Sequence, residues 1–274
     1  MKKIITGIII IFAIIGVIFT GVFVAMQFNL LNVRGSVKER NSLFPKSETV
    51  PSVPLVNNEP WAKSPDWGIM KVAFTRDADT IRRAARDADI DPRILLGGII
   101  GEQFRFFSNY SRETFKNYFE PLKILASLSK FSYGIAGLKP ETVADIDKNL
   151  TNPDSVFYLG KQMEQAITYP ENSDRTAVRF ARITDTKDSY YSYLYVGLYM
   201  KQIIAQWERA GYDISDRAGI LATLYNLGFH YSKPNANPQI GGAPVMVGGK
   251  QYSFGALAEA FYNSDELIDI FPKQ

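Results

Sequence analysis

The chain has 274 residues, 46% of them hydrophobic and 22% charged, with a formal charge of +3. It therefore has the composition of a folded protein, and its scattered Lys and Arg residues give no dense basic field, so nucleic acid is not expected as a partner. There is no cysteine and a single histidine, His230. Disulfides, thiolate metal sites and multi-histidine metal centres are excluded, and a Ser-His-Asp triad would have to use that one position. Chemistry is left to carboxylates, with no metal or cofactor expected.

Residues 4–26, which follow Lys2 and Lys3, contain no charged side chain. At about 1.5 Å per residue a helix of this length crosses a hydrocarbon core of roughly 30 Å. A transmembrane signal anchor over 1–28 is predicted in preference to a cleaved signal peptide, whose apolar region is shorter. Basic residues flank both ends, so charge does not set the orientation. A short amino-terminal tail ahead of a large domain usually leaves that domain outside the cytoplasm, which predicts an extracytoplasmic domain on a single-pass membrane protein. Residues 29–66 carry Pro45, Pro51, Pro54, Pro60 and Pro65 among many Ser and Asn, the composition of a tether or a wrapped segment.

A globular domain is predicted over 67–274. From residue 77 the pattern is helical: Ile81, Ala84, Ala85 and Ala88 repeat at the spacing of one buried face. Asp91 before Pro92 is a helix start, a cap followed by proline at the first helical position, and that helix runs to about residue 106. Further helices are predicted over 154–167, 193–210, 216–227 and 254–261, with Gly211 and Gly228 as stops. Pro244 to Tyr252, centred on Gly248-Gly249, reads as a short hairpin. It is no phosphate loop, because proline stands at 244 and glutamine at 251. The fold class is mostly α, with one small β-hairpin.

Within the helix that starts at Pro92, Glu102 follows Leu95 by seven residues, Gly98 by four and Ile99 by three, which brings it onto the buried stripe. Desolvation and the negative end of the helix dipole both favour a protonated carboxyl there. A carboxylic acid so held can protonate a leaving oxygen, as breaking a glycosidic bond requires. The structural alternative is a glutamate at the edge of the stripe that reaches water or pairs with Arg105 or Arg93. Gly97 and Gly98 each cost a helix about 1 kcal/mol relative to alanine, so a close approach by another backbone or a ligand is expected there.

The stretch from Asp91 through Pro92, Ile94, Leu95, Gly97 and Gly98 to Glu102 resembles the helix that carries the catalytic glutamate of lytic transglycosylases in the soluble-transglycosylase and goose-lysozyme superfamily. Three later stretches agree in order. Ser132, Gly134, Ile135, Ala136, Gly137, Leu138, Pro140 and Thr142 resemble that family's Ser-x-Gly-Leu-Met-Gln-Ile-x-Pro-x-Thr segment, which lines the glycan cleft. The run from Val196 through Tyr199 to Ile204 is similar to the helix that precedes the last motif. That motif, Ala-Tyr-Asn-Ala-Gly in the family, is matched by Ala222, Tyr225, Asn226 and Gly228. The chain departs from the pattern at Gln103, where serine is usual, and at Gly137, where the family has glutamine. Insertions are implied near 109–130 and between Thr142 and Tyr190.

The resemblance implies a lysozyme-like domain that cleaves the bond between N-acetylmuramic acid and N-acetylglucosamine in peptidoglycan glycan strands. Glu102 would give its proton to the bridging oxygen. As a carboxylate it would then take the proton of the muramic C6 hydroxyl, whose oxygen closes on the anomeric carbon and leaves a 1,6-anhydro end. Gln103, Ser132, Gly134, Ile135, Ala136, Gly137, Tyr199, Tyr225 and Asn226 would contact substrate. The alternatives are a goose-lysozyme-like hydrolase on the same glycan and a non-catalytic peptidoglycan-binding scaffold; proteins of the envelope machinery are possible partners. Asp145 and Asp147 read as solvated helix-start or loop charges, and His230 as structural or surface. The cluster Tyr190, Tyr191, Tyr193, Tyr195 and Tyr199 reads as core and interface before it reads as a sugar-stacking platform.

Overall fold

A computed structural model of the protein describes residues 59–109, 135–185 and 187–273. The apolar stretch at 4–26 and the tether up to 58 lie outside the described residues. Among the described residues no helix is long and apolar enough to cross a membrane.

Helix α1, Pro65–Arg76, starts where Ser64 Oγ accepts from the Trp67 amide and proline fills the first turn. It buries Trp67, Met70 and Phe74. Ahead of it Trp61, only 1% exposed, packs edge-on against Trp67 with ring centroids 5.0 Å apart. Residues 59–66, at the end of the stretch read as tether, thus wrap onto the domain. Helix α2, Ala78–Asp87, turns Ile81, Ala84 and Ala85 inward as the spacing predicts.

Helix α3, Pro92–Asn109, is capped by Asp91, whose Oδ1 accepts from the Arg93 amide at 2.6 Å. Ile94, Leu95, Leu96, Ile99, Ile100 and Phe104 are all buried, so this helix is apolar on nearly every side and runs through the core. Helix α4, Pro140–Thr151, buries Val143, Ile146 and Leu150. Helix α5, Arg175–Thr184, is capped by Asp174 and buries only Ile183. Helices α6, Tyr190–Arg209, and α7, Ala218–Leu227, are buried along most of their length, and α7 stops at Gly228 with φ +103°. Strands β1, Pro244–Val247, and β2, Lys250–Ser253, form the antiparallel hairpin, with Val247 opposite Lys250 and positive φ at both Gly248 and Gly249. Helix α8, Phe254–Asn263, is capped by Ser253 and lies against α7 and α3. The molecule is mostly helical with one small hairpin.

The helix expected over 154–167 does not form; that span holds turns and a 3-10 turn at Lys161–Met163. Gly160 has φ +95°, and the Arg209 guanidinium donates to the carbonyl oxygens of Val156, at 2.7 Å, and Tyr158. Acceptors that a helix would use internally are bonded to another element. Helices α1, α4 and α5 were not expected from the sequence.

The core closes around Arg93. Its side chain is fully buried, and instead of pairing with Glu102 it donates to five backbone carbonyls, of Phe261, Tyr262, Ser264, Glu266 and Phe271, at 2.7–3.3 Å. It also stacks on the Phe261 ring, 4.6 Å from the centroid. These carbonyls are the end of α8 and the segment after it, so the guanidinium supplies donors that the chain there lacks. Arg93→Met is expected to cost about 3 kcal/mol or more, since several buried acceptors lose a charged donor at once. Urea unfolding checks this; a loss below about 1 kcal/mol would contradict the assigned role.

Candidate functional site

Glu102 lies one helical turn beyond Gly98, on the part of α3 that faces the segment entering α4. Its neighbourhood is set by three glycines of α3. A Cβ built at Gly97 would meet the Ala258 side chain of α8 at 3.3 Å, and one at Gly101 would meet the Phe254 ring at 2.5 Å. A Cβ at Gly98 would collide with Met200 of α6 and lie 3.6 Å from the Tyr225 ring of α7. The close approach expected at Gly97 and Gly98 is therefore made by side chains of the neighbouring helices, and it draws α6, α7 and α8 onto the helix that carries Glu102.

Residues 135–137 form a turn held from two sides. Gln103 Nε2 donates to the Ile135 carbonyl at 2.6 Å, and the Tyr225 hydroxyl donates to the Ala136 carbonyl at 2.5 Å. With two successive carbonyls fixed, Gly137, at φ +61°, is brought against Glu102. A Cβ at Gly137 would sit 2.9 Å from both Cγ and Oε2 of that glutamate. Gly137, one of the two positions that depart from the pattern the sequence resembles, is thus the one whose missing side chain makes room for the carboxyl. Sequence reasoning took Gly137 as the loss of a polar contact and missed this, because the approach to Glu102 is made only by the fold.

The carboxyl is partly buried, its side chain 14% exposed, and it pairs with Arg105 one turn further along α3. Arg105 Nη1 lies 3.4 Å from both Oε1 and Oε2. Of the two arginines weighed as partners, Arg105 is the one in place. Tyr199 is buried, its ring 5.1 Å from that of Tyr225 and 4.2 Å from that of Phe229, so it backs Tyr225. Asn226 is also buried, and its Oδ1 accepts from the Ala243 amide at 2.9 Å, which ties the end of α7 to the approach to the hairpin. Ser132 and Gly134 lie outside the described residues. Glu102, Gln103, Ile135, Ala136, Gly137 and Tyr225 are brought together; Tyr199 supports them from behind, and Asn226 is engaged elsewhere.

The remaining polar candidates have other partners. Asp147, expected to be solvated, is largely enclosed: it accepts from Tyr195 at 3.2 Å, Arg179 at 3.1 Å and Tyr169. Burial first, and then the bond to Asp147, pushes the Tyr169 phenol up to about 12. Arg83 covers the ring of Tyr190 at 4.2 Å and Arg182 that of Tyr191 at 4.0 Å, while Tyr193 donates to Asp77. The tyrosine cluster is interface and core. Asp145 and His230 are exposed. Two cavities among the described residues lie away from Glu102, one between α4 and α5 beside Val143 and Phe180, the other around Arg76 and Asp188. No protein-family model, curated protein or solved structure matches the chain.

Gly137→Ala is expected to turn Glu102 out of its seat, because the far end of a glutamate moves more cheaply than a turn held by two hydrogen bonds. The stability cost should then be the backbone strain alone, about 1–2 kcal/mol. Gly211→Ala is the comparison, since Gly211 has φ +85° and a Cβ there meets nothing within 4 Å. Urea unfolding of both variants and a crystal structure of the first test this. A Glu102 side chain left where it was contradicts it.

Proposed function

We propose that the protein is a membrane-anchored peptidoglycan lytic transglycosylase with a lysozyme-like domain, and that Glu102 is its acid and base. The observation that carries this reading is the convergence of three stretches separate in sequence, each quoted above for its resemblance to the same family. They are the glutamate helix, the turn at 135–137 and Tyr225 near the end of α7. Stretches that match a pattern by chance have no reason to meet in space. These three meet at the turn beside the Glu102 carboxyl.

In the proposed reaction the Glu102 proton goes to the oxygen bridging muramic acid and glucosamine as its bond to the anomeric carbon breaks. The carboxylate then takes the C6 hydroxyl proton while that oxygen bonds to the anomeric carbon. One carboxylate returns to its starting state and no water is consumed, unlike the two-carboxylate scheme usual among glycosidases. The apolar stretch at 4–26 would hold the domain at the cytoplasmic membrane, on its outer side, beside the glycan strands.

A second reading is a peptidoglycan-binding scaffold without activity. It is favoured by Arg105, whose guanidinium rests on both oxygens of the proposed acid. The full-length protein in detergent, run in a peptidoglycan zymogram beside Glu102→Gln, separates the two. Clearing by the wild type that falls at least about a hundredfold in the variant is expected, the usual scale for losing an acid/base group. Equal clearing by the variant removes the mechanism, and no clearing by the wild type favours the scaffold.

A further inference from the structure

We propose that Phe157 and Phe229 form a sugar-stacking subsite beside the Glu102 site, which binds a pyranose unit of the glycan away from the bond being cleaved. This rests on the reading of the site as glycan-cleaving. The two rings lie 4.6 Å apart at 52°, and both are partly exposed. Phe229 comes just after the end of α7, and its ring is 4.2 Å from that of Tyr199, which backs Tyr225 at 5.1 Å. Tyr225 holds the turn beside Glu102. The pair therefore continues, by ring contacts, the wall from which the candidate site is built.

Core packing does not account for Phe157. Among the described residues it is neither in the buried core nor one of the side chains packed against it. Its backbone is nonetheless gripped on both sides. Arg209 donates to the carbonyls of Val156, at 2.7 Å, and Tyr158. The Phe157 amide donates to Ser155 Oγ at 3.1 Å, and that hydroxyl donates to Asn149 at 2.8 Å. These bonds hold a partly exposed ring in one place, which lowers the ordering cost of binding and does nothing for a loop that only faces solvent. The border of the pair selects a sugar, which offers a C–H face to an aromatic ring and hydroxyls at its rim. Beside Phe157 the Tyr158 hydroxyl meets the Glu164 carboxylate at 2.5 Å, and beside Phe229 stands the exposed His230, so the rim hydroxyls find hydrogen-bonding groups. A wholly apolar partner would strip those groups of water without bonding them.

The test is co-sedimentation of the full-length protein in detergent with insoluble peptidoglycan, with Glu102→Gln as the parent so that no strand is cut. Phe157→Leu and Phe229→Leu, which keep apolar bulk and remove a ring, are each expected to weaken binding about threefold to tenfold, the range of one aromatic contact. Phe157→Tyr, which keeps the ring, should bind as the parent does. Glycan strands freed of their stem peptides should compete as well as whole ones, and urea unfolding of Phe157→Leu should match that of the parent. Parent-like binding by both leucine variants overturns the inference. So does a Phe157→Tyr variant as weak as Phe157→Leu, a failure of peptide-free strands to compete, or a loss of stability in Phe157→Leu that matches its loss of binding. If neither the wild type nor the parent sediments with peptidoglycan, the proposed function falls together with this inference, so the two failures are told apart.

Discussion

Close approach to one glycine-bearing helix is the constraint on which the rest of this structure depends. Helix α3 gives up intrinsic helicity at Gly97, Gly98 and Gly101, and in return Ala258, Met200 and Phe254 of two other helices lie where its side chains would be. With α6, α7 and α8 seated at that distance, Tyr225 reaches the turn at 135–137 and fixes Gly137 beside Glu102. The other end of the same helix is tied to the C-terminal segment by Arg93, which bonds five backbone carbonyls. Position along α3 therefore separates two uses of charge: a buried cation that completes the fold, and a partly exposed carboxyl at a site.

The site itself is built mostly from backbone. Two side chains, Gln103 and Tyr225, are spent on holding carbonyls of a turn rather than on pointing at a ligand. What they secure is a flat glycine surface against a carboxyl, with a guanidinium at another of its faces. Such an arrangement restricts the rotamers of the glutamate from one side and gives it a charged neighbour at another.

Much of the fold was legible in the sequence, and the reasons it was legible are local. Asp91 with Pro92, the spacing of Ile81, Ala84 and Ala85, the stops at Gly211 and Gly228, and the Gly248-Gly249 turn each act within a few residues, and each is where it was expected. Helix α1 carried the same start signal, Ser64 with Pro65, but began at the end of a proline-rich stretch read as a tether or a wrapped segment; Trp61 in the core makes residues 59–66 the wrapped one. Helix α5 fell in the stretch between Thr142 and Tyr190 read as an insertion, although Asp174 caps it. The failure at 154–167 is of another kind, since Arg209 captures its carbonyls from some fifty positions away and no local pattern reports that. The candidate site divides in the same way. Glu102 was visible from its place on the apolar stripe, whereas the fit of Gly137 against it depends on a fold-level contact.

The most direct measurement is the mass of the glycan ends that the purified full-length protein releases from peptidoglycan. The proposed mechanism gives 1,6-anhydro ends, lighter by one water than hydrolytic ends, and gives none from a protein with glutamine at 102. Ends that carry the added water would contradict the intramolecular closure, and anhydro ends that persist without the carboxyl of Glu102 would contradict its role altogether.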